Sequence, residues 1–329
     1  MLRRHSWLIA AALIAGAASP TRAVVVATST TNTYAPADDP GWQNVGALGS
    51  GGGVYLGDRW VLTAGHVGVG SIELGGNTYQ AELGSEVQLL NPIGSGLSTY
   101  TDLVMYRINA DPGLPSLPIA STSPPVESLV TMIGRGRTRL EEQTAWQIES
   151  PVEPWTWIES PETGNFRGYK TNGTRSMQWG TNQIEDDLAY EIDGATDDDH
   201  TVVVNVGSIS SPLDVIALVT DFDEYQQTAD EAQAVSGDSG GAMFYKSDDS
   251  WLLAGILDAV DLWSGQPGGA ATAIFGNLTY SVDLAQYRDQ IQDIVAQKAV
   301  PEPSSLVLLA VGLVAALAVR RRRGDGSPV

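Results

Sequence analysis

The chain has no cysteine, so no disulfide can hold it together, and its stability has to come from burying a core. Histidine is scarce as well, with three in 329 residues, His5, His66 and His200, which leaves few candidates for a general base. Positive charge is short: 18 Lys and Arg stand against 39 Asp and Glu, a formal net charge of −21. A surface of that sign repels nucleic acid and anionic lipid and favours solubility or cationic substrates. Apolar runs long enough for a permanent membrane span are missing. Trp7–Ala18 and Leu306–Val319 are both shorter than the roughly 20 residues such a span needs.

What is present centres on Gly237-Asp238-Ser239-Gly240-Gly241. A nucleophilic serine needs its Oγ on a tight turn and free amide N–H groups to hold an oxyanion, and glycine permits both. Alone, such a stretch is also an ordinary glycine-rich turn. His66 ends the short apolar run Trp60-Val61-Leu62-Thr63-Ala64-Gly65-His66, which follows Val54-Tyr55-Leu56 and a turn at Gly57-Asp58. Asp102 opens Asp102-Leu103-Val104-Met105-Tyr106, where a buried charge needs a partner. Taken singly, His66 reads as a structural histidine and Asp102 as a strand-initiating aspartate. His200, in Asp197-Asp198-Asp199-His200, reads as incidental in a solvated loop.

In the order His66, Asp102, Ser239, these three segments resemble the trypsin-like (chymotrypsin-fold) serine peptidases, over roughly Val45 to Ala296. Other Ser/His/Asp folds run the three residues in a different order. The resemblance implies an all-β fold of two six-stranded antiparallel barrels with a C-terminal helix, and no cofactor or metal. It implies that Ser239 attacks a peptide carbonyl, His66 transfers the proton and Asp102 orients His66. The N–H groups of Gly237 and Ser239 would form the oxyanion hole, and a protein or peptide would be the substrate.

The chain departs from the family in several places. Asp238 is held in that family by a buried cation, often a new amino terminus, yet no Ile-Val-Gly-Gly-like start is present. Two readings follow. Leader removal exposes Val24, which reaches Asp238, or the enzyme folds active without such a terminus. Gln233 falls at the expected base of the specificity pocket, and Asp258 and Val260 at its border. These point to small or medium uncharged side chains, with a basic residue held by Asp258 as the other reading. The long Asp102–Ser239 interval places extra chain in Gln143–Asp199, rich in Trp, Tyr and Phe, which either covers a barrel or shapes the cleft. The acidic stretches Glu185–Asp187, Asp197–Asp199 and Asp221–Glu224 lack a calcium-loop spacing and read as solvated surface.

Both ends read as targeting segments. Met1–Ala23, with Arg3 and Arg4 before its apolar run, is a secretory leader. Residues 298–329 hold Pro301-Glu302-Pro303, an apolar transmembrane helix and Arg320–Arg323, a pattern that resembles the PEP-CTERM sorting signal of Gram-negative bacteria. It implies an exosortase-type processing partner, a transient inner-membrane tether, and a mature chain in the envelope or outside the cell. Between the ends lies one peptidase domain, residues 24–297. Strands are expected at Leu129–Ile133, Thr201–Val206, Val215–Val219 and Leu252–Leu257, and one helix at Asp283–Gln297. The sequons at Asn172 and Asn277 decide nothing. The competing function, from the unusual pocket residues and the aromatic insertion, is a catalytically silent member acting as a cell-surface or matrix-binding module.

Overall fold

The computed structural model describes residues 24–28, 32–186, 202–207, 213–225 and 228–299. The leader, the sorting tail beyond Ala299, Asp187, Asp197–Asp199, His200 and Thr201 lie outside the described residues.

The apolar run that leads to His66 folds as the strand Trp60–Ala64, buried at every position. Its turn from Gly51–Gly57 uses Asp58 at φ 48° and Arg59 at φ 68°. Two left-handed residues in succession are what a tight hairpin with right-twisted strands requires. Trp60–Ala64 lies inside a seven-stranded sheet whose order is Asn77–Tyr79, Ile72–Leu74, Val45–Leu48, Gly51–Gly57, Trp60–Ala64, Tyr100–Arg107, Val87–Leu90. A second seven-stranded sheet runs Gln178–Gln183, Leu129–Gly134, Ala242–Ser247, Ser250–Asp261, Leu278–Asp283, Asp214–Asp221, Val202–Asn205. Neighbours in both sheets pair antiparallel. The expected all-β fold is therefore present, with seven strands in each large sheet where the resemblance implied six. Each of the four expected strands forms, the longest extending to Ser250–Asp261.

One core joins the two sheets. Val54, Leu62, Leu103 and Met105 of the first pack with Ile133, Val219, Phe244, Ile256 and Val282 of the second. On its other face the first sheet buries Tyr55, Val61, Ile72 and Tyr106. Trp60–Ala64 thus has protein on both faces, and for that reason its sequence does not alternate: only Thr63 is polar, and its hydroxyl donates to Gly52 O at 2.7 Å. Each such side chain contributes about 1.5–3 kcal/mol by burial, which is how a chain without disulfides is held.

The insertion expected in Gln143–Asp199 builds a third sheet from Arg137–Arg139, Phe166–Arg175, Thr144–Ser150 and Thr156–Glu159, with Thr272–Ile274 paired alongside. Its aromatics chiefly pack on protein. Trp146 and Tyr169 are buried. Phe166 meets Trp157 and Trp263 edge-on at centroid separations of 4.8 and 5.3 Å.

The expected C-terminal helix forms in two parts. Asp283 caps a short 3-10 turn, Leu284–Gln286, its carboxylate accepting the Ala285 N–H at 3.1 Å. The α-helix proper is Arg288–Ala299. Leu284 and Ile291 are buried, with Ile294 and Val295 against the main core, so the anticipated apolar face is the one that docks. Among the described residues no helix is long and apolar enough to cross a membrane.

Candidate active site

Strand register brings His66 and Asp102 together. Ala64 pairs with Leu103 and Thr63 with Val104, so the residue preceding Leu103 meets the loop that follows Ala64. The Gly65 N–H donates to the Asp102 main-chain carbonyl at 2.8 Å, tying the two segments. His66 Nδ1 then stands 2.5 Å from Asp102 Oδ2, where its N–H donates to the carboxylate. Asp102 is fully buried and the His66 side chain is 45% exposed. An imidazole fixed this way keeps its other nitrogen free to act as a base.

A Cβ at Gly65 would lie 2.5 Å from Asp102 Oδ1, so a larger residue there must push the carboxylate aside. Gly65→Ala is expected to displace the Asp102 carboxylate and lower kcat by at least about tenfold, with little change in KM. Steady-state kinetics on the purified variant check this, and wild-type kcat would contradict it.

Ser239 lies on a turn set by Gly237 at φ 101° and Gly240 at φ 81°, conformations that glycine adopts without strain. Asp238 N–H bonds to Val235 O at 2.9 Å, whereas among the described residues the N–H groups of Gly237 and Ser239 have no acceptor. Two idle donors flanking a serine are what an oxyanion hole requires. The turn is docked on the first sheet: Gly52 N–H donates to Ser239 O at 2.8 Å, and a Cβ on Gly51 would come within 2.5 Å of that oxygen. Sequence reasoning assigned no role to Gly51 and Gly52, although three consecutive glycines entering a strand are a signal of close backbone approach.

His66 and Ser239 line one cleft of about 310 Å³ with Asp258, Ala259, Val260 and Arg175. They are not hydrogen-bonded to each other. Ser239 Oγ donates instead to the Asp258 main-chain carbonyl at 3.2 Å. Catalytic hydrogen bonds of this kind are often long or unformed before substrate binds.

Asp238 is buried behind the turn and accepts N–H groups from Gly136 at 2.6 Å, Val235 at 2.8 Å and Val24 at 3.3 Å. Val24 is delivered there by the pairing of Val25 with Gln233 and Val26 with Ala232. Burial pushes the Asp238 carboxyl up to about 6, against the pull of those N–H groups and of the nearby Arg175 charge.

Of the residues expected to form the specificity pocket, Asp258 and Val260 line the cleft and Gln233 does not. Gln233 is buried, its side chain donating to Leu278 O at 3.1 Å. It is held by the pairing with Val25 that brings in the chain start, a contact that spacing from Ser239 could not reveal. The Asp258 carboxyl turns away from the opening toward Asp102 and His66, with Oδ1 3.7 Å from His66 Nδ1. Arg175, from the inserted sheet, was not anticipated at all. It donates to Ser50 O and lines the cleft beside Gly237.

Two of the acidic stretches converge. Burial, then the charges of Asp223 and Asp221, raises Glu185, and burial lifts Asp221 to about 6. Among the described residues the only group that brings three ligating side-chain atoms within 4.8 Å is His66, Asp102 and Asp258.

Residues 30–183 match the family model described as Trypsin, and residues 299–323 match the PEP-CTERM protein-sorting motif. The first match includes His66 and Asp102 and ends before Ser239. No curated protein sequence matches the chain. Among solved structures it is similar to the Rv3671c protease from M. tuberculosis in its active form, at 14% identity, covering 84% of this chain and 92% of that one with TM-score 0.43. It is also similar to neuropsin, a serine protease expressed in the limbic system of mouse brain, at 17% identity, 80% and 97% coverage and TM-score 0.43. A third similarity is to the murine norovirus NS6 protease, at 13% identity, 74% and 92% coverage and TM-score 0.37.

Proposed function

From the match of residues 30–183 to the Trypsin family model and of residues 299–323 to the PEP-CTERM protein-sorting motif, we propose that this chain is a secreted serine endopeptidase. The observation that carries the reading is the convergence in one cleft of the His66–Asp102 pair, the Ser239 hydroxyl and the two unoccupied N–H groups of Gly237 and Ser239.

The chemistry follows from those positions. Ser239 Oγ attacks the scissile carbonyl carbon as His66 takes its proton through the ring nitrogen opposite Asp102. The Gly237 and Ser239 N–H groups hold the oxyanion, typically worth about 3–4 kcal/mol for one such donor. Collapse breaks the C–N bond, His66 gives the proton to the departing amine, and the acyl group stays on Ser239. Water, deprotonated by His66, then attacks the ester and releases the acid.

The cleft wall of Ala234, Val235, Ala259, Val260 and Ala270 supports small or medium uncharged side chains next to the scissile bond. An Asp258 carboxyl committed to Asp102 and His66 weighs against a basic residue held there. The sorting motif marks the chain for export and sorting in a Gram-negative bacterium. In this reading its tail tethers the chain transiently to the inner membrane until an exosortase-type enzyme processes it.

A peptide library cleaved by wild-type protein and by Ser239→Ala tests the function. Cleavage after small uncharged residues, absent from the variant, is expected. Equal cleavage by both would assign the activity to a contaminant and end the reading. The silent binding-module alternative draws on the Ser239 hydroxyl being bonded to Asp258 O rather than to His66, and it predicts no cleavage by either.

A further inference from the structure

Asp258 stands where the strand Ser250–Asp261 shifts register against Leu278–Asp283, between Leu257 and Ala259. Its carboxyl is wholly buried, with Oδ1 3.7 Å from His66 Nδ1, and a carboxyl oxygen lies within 4.8 Å of the Asp102 carboxylate. Asp102 Oδ1 and both Asp258 carboxyl oxygens are buried with no hydrogen-bond partner. Two ionised carboxylates so placed repel each other where no water screens them, and each unmet oxygen carries a desolvation cost.

Either a shared cation or a shared proton resolves the conflict. Two ligands of a tetrahedral metal at about 2.0–2.2 Å stand more than about 3 Å apart, whereas His66 Nδ1 and Asp102 Oδ2 are separated by 2.5 Å. That gap is already closed by the imidazole N–H, with no room for a metal between the two atoms, and a proton is what the two carboxyls can share. Asp102 already accepts the imidazole N–H through Oδ2, so the extra proton belongs on Asp258, from which it can reach the unmet Asp102 Oδ1. The other titratable and charged groups around the pair do not supply a competing donor. Asp283 accepts from Ser123, Ala285 and Gln286. Tyr287 donates to Asn91, and Arg175 bonds Ser50 O across the cleft. Burial first, then the Asp102 charge, holds the Asp258 carboxyl well above the usual carboxylate range.

We propose that Asp258 is a positioning residue of the triad, a neutral carboxylic acid that donates its proton to Asp102 and so fixes the carboxylate that orients His66. Its main-chain carbonyl holds the Ser239 hydroxyl at the same time, so one residue touches two members of the site. This rests on the serine peptidase reading. At alkaline pH ionisation of Asp258 places a second negative charge beside Asp102, the donor is lost, and activity falls.

The test compares kcat, KM and their pH profiles for the processed wild-type protein, Asp258→Ala and Asp258→Asn. Asp258→Ala removes the donor and is expected to lower kcat about 10–100-fold with KM little changed. The Asn amide can donate but cannot ionise, so Asp258→Asn should recover most of that loss and move the alkaline limb of kcat to higher pH. Two outcomes overturn the proposal: Asp258→Ala within about threefold of wild type with the same profile, or Asp258→Asn as impaired as Asp258→Ala. Should Asp258→Ala fail to fold, the limb position in Asp258→Asn still decides. Proton NMR on Ser239→Ala separates this from failure of the peptidase reading. The low-field His66 Nδ1–H signal should persist to higher pH when Asp258→Asn is added, whether or not the wild-type chain cleaves peptides, and an unmoved signal contradicts the proposal.

Discussion

His66→Ala is expected to lower kcat on a peptide substrate by about a million-fold, the scale on which a serine nucleophile fails without its base. The loss should fall on kcat rather than KM, because His66 lies beside the reacting serine and takes part in proton transfer. The variant also leaves Asp102 buried and facing only Asp258. Leaving that buried carboxylate without its imidazole partner should also lower Tm below that of wild type at neutral pH. Activity within about tenfold of wild type would contradict the role given to His66.

Keeping one residue ahead of Val24 is expected to lower kcat/KM about 100–1,000-fold relative to a chain that starts at Val24. The Val24 nitrogen is 3.3 Å from a fully buried Asp238. In an uncut chain that nitrogen is an amide and offers one hydrogen bond. After leader removal it is an ammonium and offers a full charge. Leaving a buried carboxylate without its cation costs about 3–5 kcal/mol, and the strain falls on the turn that carries Gly237 and Ser239.

The pH dependence differs between the two chains. Without the ammonium, the Asp238 carboxyl is raised from 3.8 to about 6, so folding stability is lost as pH rises across that window. With the ammonium, the paired charge opposes that rise, and less stability is lost across the same window. The Tm difference between the chains should widen between about pH 4 and 6 and narrow again as the α-amino group, at about 8, loses its proton. Equal kcat/KM with parallel Tm curves would favour the alternative, a chain that folds active without such a terminus.

The residues that could be read from the sequence are those whose neighbours in the chain are also their neighbours in space. Trp60–Ala64 announces itself by an apolar run that ends at Gly65-His66, and the serine turn by glycines that its φ angles require. The docking face of the C-terminal helix followed from the spacing of Leu284, Ile291, Ile294 and Val295. What could not be read depends on register between distant strands. Asp258 was expected at the rim of a pocket, but the shift between Leu257 and Ala259 turns its carboxyl onto Asp102. Gln233 was placed by counting back from Ser239, yet its pairing with Val25 fixes it away from the cleft. Arg175 reaches Gly237 only because the inserted strand Phe166–Arg175 folds back across Arg137–Arg139.

The central claim is that Ser239 is an activated nucleophile. Its most direct measurement is intact and peptide mass spectrometry after treatment with a fluorophosphonate. One phosphonyl adduct per chain is predicted, located on Ser239, formed faster as pH rises toward neutrality and absent from Ser239→Ala and His66→Ala. A correctly processed chain that stays unlabelled, or one labelled elsewhere with Ser239 unmodified, would contradict it.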